Sequence, residues 1–336
     1  LRITGSMITN KYKKNLNSSA YKMNYLNEKV TSGRKFFKGS EDPISAIKAY
    51  KLRREYRETE MYDTNISDTD SFLTTAEINL TEINDNLSRI YTSYLRGVNG
   101  TMSSDEREIV AKEIDNIQES MLNSLNSKIS DRYVFGGTSK DEIPFTVDTN
   151  GDLLYKGISV DDNANQINLD ALASENLNID LGLGMKFDGS GELIKDTTFD
   201  LSMSGIKIMG YGTATAADGV TEIPNNLYSL VGKIKDQLRD PNYSYDNISQ
   251  YIGKFETQKT SVLISVADIG TKTKYLDFLK TRNEDTQLSL NEKIDGVEHI
   301  DTADAIIDFK MQEYSYNAAL SMGNKILQNS FIDFMR

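Results

Sequence analysis

From Ile66 to Tyr94, core-type positions recur at alternating intervals of three and four: Ile66, Thr69, Leu73, Ala76, Leu80, Ile83, Leu87, Ile90 and Tyr94. Polar residues such as Asp70, Glu82, Asn84, Asp85 and Arg89 fill most of the positions between. This is a heptad seam held for four repeats, and it predicts a helix about 43 Å long. A narrow stripe on so long a rod cannot be buried by short elements. It requires equally long helices beside it, and the chain supplies them on both sides of a glycine-rich middle.

Residues 7–30 read as a first helix, with Ile8, Tyr12, Leu16, Ala20, Met23 and Val30 near one face and Leu26 beside it. The stripe is thin, and an isolated helix of this kind is marginal in water. Gly33 is its stop signal. Asp42 and Pro43 open the next helix as N-cap and first helical residue. That helix runs through Tyr56 into the heptad and ends near Gly97 and Gly100. Ser103 and Glu106 form a capping box. The helix it opens carries Val110, Ile114, Ile117, Met121 and Leu125 and is expected to end around Ser130.

The character then changes. Residues 136–219 hold 12 of the 22 glycines, and short β-type runs alternate with turn residues. Asn150-Gly151 between Phe145-Thr146-Val147 and Leu153-Leu154-Tyr155 predicts a hairpin turn. A short helix is expected near 169–175. Beyond Pro224, Leu227, Leu230, Val231, Ile234 and Leu238 make one amphipathic helix, stopped at Asp240-Pro241. A long helix follows from Ile248 with a broken three-four spacing, through Ile252, Phe255, Val262, Val266, Ile269, Leu276, Leu279, Leu290, Ile294 and Val297. A last helix carries Ala305, Phe309, Tyr316, Leu320, Leu327, Phe331 and Phe334. The expected fold class is mainly α with a β-rich insert, in which long N- and C-terminal helices form coiled-coil and bundle domains around a small inserted β domain. The expected domains are terminal coiled-coil segments at 1–42 and 300–336, a long-helix bundle at 43–136 and 225–299, and a variable outer domain at 137–224.

Composition agrees with elongated, exposed helices: 38% of the 336 residues are hydrophobic and 26% charged. There is no cysteine, so disulfide and thiolate chemistry are excluded. The net charge of −12 hides an asymmetry, because residues 1–60 hold 14 Lys and Arg against 6 Asp and Glu. A basic arm can signify nucleic acid or an anionic membrane. Here Lys11, Lys13, Lys14, Lys22 and Lys29 flank an apolar stripe instead of forming a block, which favours a solvated or partner-facing helix face. No nucleic-acid module and no apolar run of about 20 residues is present, so neither nucleic acid nor membrane insertion is expected. The absence of an apolar leader would by itself suggest the cytoplasm.

Candidate chemistry is sparse. No metalloprotease, P-loop, serine-hydrolase or Cys/His motif occurs, and His299 stands alone in a polar stretch. Asp148-Thr149-Asn150-Gly151-Asp152 imitates half a calcium loop, but its glycine is misplaced and Ser159 stands where the closing acid is needed. No catalytic, cofactor-binding or metal-ligating residue is assigned, no cofactor is expected, and the chain is not expected to be an enzyme.

Four stretches carry a family resemblance: Arg2-Ile3-Thr4 with Met7-Ile8 and Tyr12; Thr31-Ser32-Gly33-Arg34 with Ser40-Glu41-Asp42-Pro43; Arg132-Tyr133-Val134-Phe135-Gly136-Gly137 with Pro144-Phe145; and Asp301 to Arg336 with Ser330-Phe331-Ile332-Asp333-Phe334. Together they resemble the bacterial flagellar hook-associated protein 3 family, relatives of flagellin, over residues 1–145 and 225–336. The second and third stretches favour the junction protein over flagellin itself. Leu1 stands where the family has Met, and Glu41 replaces the commoner Asp.

The resemblance implies export without a cleaved signal through the flagellar type III apparatus, with an export chaperone as a prior partner. It implies a secreted protein at the hook–filament junction, forming a ring of its own copies between hook-associated protein 1 and flagellin. The terminal helices would pair as an inner coiled coil and become ordered in the assembly. From the residues themselves, the terminal apolar stripes lack enough partners within a monomer, so Leu16, Met23, Leu26, Leu327, Phe331 and Phe334 are expected to mediate axial assembly. The alternatives are a filament-forming flagellin and a ligand-binding role for the 137–224 insert.

Overall fold

The computed structural model describes residues 5–98, 103–216 and 221–332. In chain order the elements are α1 (Gly5–Ser32), α2 (Pro43–Val98), α3 (Ser104–Leu125), β1 (Lys128–Ile129), β2 (Arg132–Tyr133), β3 (Phe145–Val147), β4 (Leu153–Tyr155), β5 (Ile158–Ser159), α4 (Gln166–Ala173), β6 (Asn178–Ile179), β7 (Phe199–Asp200), α5 (Gly205–Met209), β8 (Thr213–Thr215), β9 (Glu222–Pro224), α6 (Leu227–Arg239), α7 (Tyr245–Glu298) and α8 (Thr302–Ile332). The fold is mainly α with a small β-containing insert. It divides into two compact units, residues 61–283 and residues 1–60 with 284–336. Among the described residues no helix is long and apolar enough to cross a membrane.

The unit of residues 61–283 is built on the heptad. All nine seam residues from Ile66 to Tyr94 are buried, and Leu73, Ala76, Leu80, Ile83, Leu87 and Ile90 have no exposed surface. They share one core with Ile114 and Met121 of α3, Leu230 and Ile234 of α6, and Phe255, Val262, Ile269 and Leu276 of α7. Each aliphatic side chain so buried contributes on the order of 1.5–3 kcal/mol. Polar ties set the helix register at the edges of this core. Asn86 donates to Ser120, the Tyr91 hydroxyl donates to Glu256 at 2.7 Å, and Gln118 donates to the Tyr228 carbonyl. Lys235 and Arg239 of α6 both pair with Asp115 of α3. The capping box at Ser103 and Glu106 forms as the sequence indicates.

The spacing on α7 is more regular than its apolar residues suggest. Ile248, Phe255, Val262, Ile269, Leu276, Asn283 and Leu290 are all buried at strict sevens, and the polar Asn283 is what makes the apolar pattern look broken. A polar residue at one seam position is a known device for fixing register.

In the insert, β3, β4 and β5 form an antiparallel sheet in that order, while β1–β2, β6–β7 and β8–β9 are two-stranded. Two local expectations change. Helix α3 ends at Leu125, not near Ser130, because the Asn126 side chain leaves the helix to pair with both backbone groups of Phe145. The chain then turns through the β1–β2 hairpin. The Asn150-Gly151 turn is not a two-residue one either. β3 and β4 are joined by residues 148–152, closed by Asp148, whose Oδ1 accepts from the backbone N–H of Asn150 and Asp152. A local carboxylate offers the backbone this alternative to a tight turn.

The stretch Arg132 to Gly137 anchors the insert. The Phe135 carbonyl accepts from the Gly205 N–H and the Tyr155 hydroxyl, and Gly137 N–H donates to the Met203 carbonyl. Burial pushes the Tyr155 hydroxyl up to about 12. Arg132 donates to the Gly137 carbonyl and faces the Phe72 ring of α2. Burial moves its pKa down from the ordinary arginine value. Gly137 has φ +62°, and a Cβ there would sit 2.6 Å from the Glu175 carboxylate.

Candidate assembly surface

The second unit pairs the two ends of the chain. On α1, the partly buried positions Thr9, Tyr12, Leu16, Ser19, Met23, Leu26 and Val30 repeat at threes and fours. On α8, Ala305, Phe309, Gln312, Tyr316 and Ala319 do the same, followed by the buried Gly323. The helices pack on one another. The Tyr12 hydroxyl donates to the Ala319 carbonyl at 3.0 Å, and Gln312 donates to the Ser19 hydroxyl at 2.8 Å. Because the partner number falls as the α1 number rises, the pair is antiparallel. Gly323 lets Tyr12 lie close, since a Cβ there would come within 2.0 Å of the tyrosine hydroxyl.

Leu16, Met23 and Leu26 therefore share one face of α1, directed at α8. They are half-buried, as expected of a seam with one partner helix and not three. The terminal stripes are thus not without partners inside one chain. Leu327 and Phe331 fall where only the backbone of α8 is described, and Phe334 lies outside the described residues. Thr9, Ser19 and Gln312 are polar members of these seams and do not show in the apolar pattern of the terminal helices. A strict count of sevens would have found them.

A corner joins these helices to α2 and α7. Gly33, at φ +70°, ends α1. Its carbonyl accepts from the Ile300 N–H, Lys35 N–H donates to the Glu298 carbonyl at 2.7 Å, and Arg34 bridges to His299. Arg53 clasps the Glu298 carboxylate with two N–H groups. Glu41 accepts from Phe37 N–H at 3.0 Å and from the Tyr25 hydroxyl at 2.9 Å. The Phe37 N–H, ahead of the other donors, holds the Glu41 carboxyl below the usual carboxylate range. Asp42 caps α2 by accepting from Ser45, which lowers its pKa in the same way. The longer reach of glutamate at position 41 thus serves loop closure, while capping rests on Asp42.

The surface left over is apolar and charged. Met7, Tyr21, Ile44, Ile47 and Tyr50 are exposed, as are Ile306, Ile307, Met311, Tyr314 and Met322. A shallow cavity of about 530 Å³ between Tyr50, Arg53, Tyr56, Arg57, Asn291 and Ile294 continues this surface. Among the described residues no group of three or more acidic or histidine side chains is placed to hold a metal ion. What the arrangement offers is a helical surface on which apolar and charged side chains alternate.

Paired terminal helices, a long-helix bundle and an inserted β region define a flagellin-like fold. Residues 3–139 match the family described as the bacterial flagellin N-terminal helical region. Flagellar hook-associated protein 3 of Escherichia coli is 21% identical over 90% of this chain and 89% of its own length. Among solved structures, FlgL of Xanthomonas campestris matches with a TM-score of 0.55 at 13% identity, over 73% of this chain and 99% of that one. FlgL of Bacillus cereus matches with a TM-score of 0.51 at 15% identity, over 73% and 99%. The chain is thus similar to flagellin over its N-terminal helical region and to hook-associated protein 3 over most of its length.

Proposed function

We propose that this chain is a structural adaptor of the bacterial flagellum, set between the hook and the flagellin filament. The observation that carries this reading is the extent of the similarity. The similarity to hook-associated protein 3 is not confined to the N-terminal helical region but covers 90% of the chain and 89% of that protein. The role is mechanical and not enzymatic. The neighbours in this reading are hook-associated protein 1 on one side and flagellin on the other, with further copies of the chain completing a ring. The protein is secreted through the type III export apparatus after release from an export chaperone. Segments 1–42 and 300–336 serve assembly, 43–136 and 225–299 form the bundle, and 137–224 faces outward.

Leu16, Met23 and Leu26, with Leu327, Phe331 and Phe334, mediate axial assembly in this account. A half-buried seam supports it, because such side chains gain further burial when neighbouring helices close over them. Leu16→Asp is expected to leave export intact and to abolish motility, and normal swimming would remove the assignment. Purified chain incubated with filament seeds is expected not to elongate them. Elongation would identify a flagellin instead.

A further inference from the structure

The unit of residues 1–60 with 284–336 is electrically polarised. Residues 1–60 carry a net +8, whereas residues 284–336 hold ten Asp and Glu against four Lys and Arg. The polarity is laid out on the outer faces of the terminal helices. Met7, Lys11, Lys14, Ser18 and Tyr21 of α1 are all exposed and follow heptad spacing, on the side away from the Leu16–Met23 seam. On α8, Asp304, Ile307, Met311, Tyr314 and Ala318 are all exposed at the same spacing, with exposed Asp308 beside them. Among the described residues, no helix covers either outer face. One is apolar and basic, the other apolar and acidic.

The internal pairing does not match these charges. The bonds from Tyr12 to Ala319 and between Ser19 and Gln312 set Lys11 and Lys14 level with residues near 317–320, away from Asp304 and Asp308. Among the described residues, Lys11, Lys13, Lys14 and Asp308 have no ion-pair partner, while ion pairs at Arg53–Glu298, Arg54–Glu58 and Lys310–Glu313 do form in this unit. Asp301 and Asp304 are partly explained as acids at the start of α8, where the helix dipole favours them. Asp308 lies beyond that first turn.

We infer that the outer face of α1 docks on the outer face of α8 from a second copy of this chain. Sliding one copy along the helices by about 13 Å, some two and a half turns, brings Lys14 level with Asp308 of its neighbour. A contact between two different faces is heterologous, and repeated copies then generate a ring or a helix instead of a closed dimer. Exposed ion pairs add little affinity alone. The gain comes from covering Met7, Tyr21, Ile307, Met311 and Tyr314, while opposite charge selects the partner face and the offset. This rests on the adaptor reading and names the contact by which copies succeed one another.

The test exploits a chain that contains no cysteine. Full-length chain carrying Lys14→Cys and Asp308→Cys is assembled on isolated hooks that already carry hook-associated protein 1, and oxidised. The expected product is a ladder of dimers and larger species, with peptides around 14 and 308 joined between copies, and each single variant giving at most dimers through like positions. In parallel, Lys14→Glu is expected to lower incorporation at least tenfold, and Lys14→Glu with Asp308→Lys in the same chain to restore it. Unmutated chain that occupies hooks while the cysteine pair gives no ladder, or is joined to a different protein, overturns the inference and leaves the adaptor role standing. Unchanged incorporation of Lys14→Glu, or failure of the exchanged pair to restore it, overturns it equally. Unmutated chain absent from hooks refutes the adaptor role itself.

Discussion

At the scale of single residues, the family motifs are statements about backbone geometry. Gly137 holds φ +62° within reach of Glu175, whose carboxylate also accepts from Thr138 and Lys156. Gly137→Ala imposes both a left-handed alanine and a clash. We expect it to cost about 1–3 kcal/mol, seen as a lower urea midpoint for unfolding with an unchanged slope. The corner gives a pH prediction. Glu41 is held below its ordinary value of 4.5 chiefly by the Phe37 N–H, and Asp42 below 3.8 chiefly by the Ser45 side chain and then the Ser45 N–H, donors placed by the folded corner. A lowered carboxylate stabilises the fold above its ordinary value and loses that contribution as pH falls through the lowered one. Hydrogen exchange at residues 33–45 should therefore be slow and constant above about pH 4.5, after correction for the intrinsic rate, and accelerate below it. Glu41→Gln should flatten the part of this response that Glu41 supplies.

At the scale of elements, the long helices were legible because a seven-residue repeat is a strong signal over thirty residues. The nine positions from Ile66 to Tyr94 needed no tertiary information. Leu80→Ala should cost about 2–5 kcal/mol, measured by chemical denaturation, since Leu80 has no exposed surface and the close-packed core around it cannot fully collapse into the void. What stayed hidden were polar members of seams. Asn283 on α7 and Ser19 and Gln312 at the α1–α8 pair look like interruptions until the structure shows them buried or bonded across the seam. The insert was legible only as a class. Its short strands are set by long-range ties such as Asn126 to Phe145 and Phe135 to Gly205, which no local pattern encodes. At the terminal pair, Tyr12→Phe removes the bond to Ala319 and should weaken the pairing by about 1 kcal/mol. Faster hydrogen exchange in α1 with no change in α3 would report it.

At the scale of the whole molecule, the sequence reading put the assembly residues on the terminal stripes, and the structure adds that the α1 stripe already faces the described part of α8 within the chain. Leu16, Met23 and Leu26 are half-buried against α8, and the fully open faces are those of Lys11 and Lys14 on one helix and Asp308 and Met311 on the other. In this account the seam side chains gain further cover when copies assemble, while the outer faces set which face of the next copy they meet. The charge asymmetry visible in composition is the trace of the outer faces. The central claim, an adaptor at the end of the hook, is tested most directly by electron microscopy of whole flagella labelled with gold-conjugated antibody to the 137–224 insert. The account predicts gold confined to the boundary between hook and filament on each flagellum. Gold distributed along the filament would contradict it and make the chain a filament subunit.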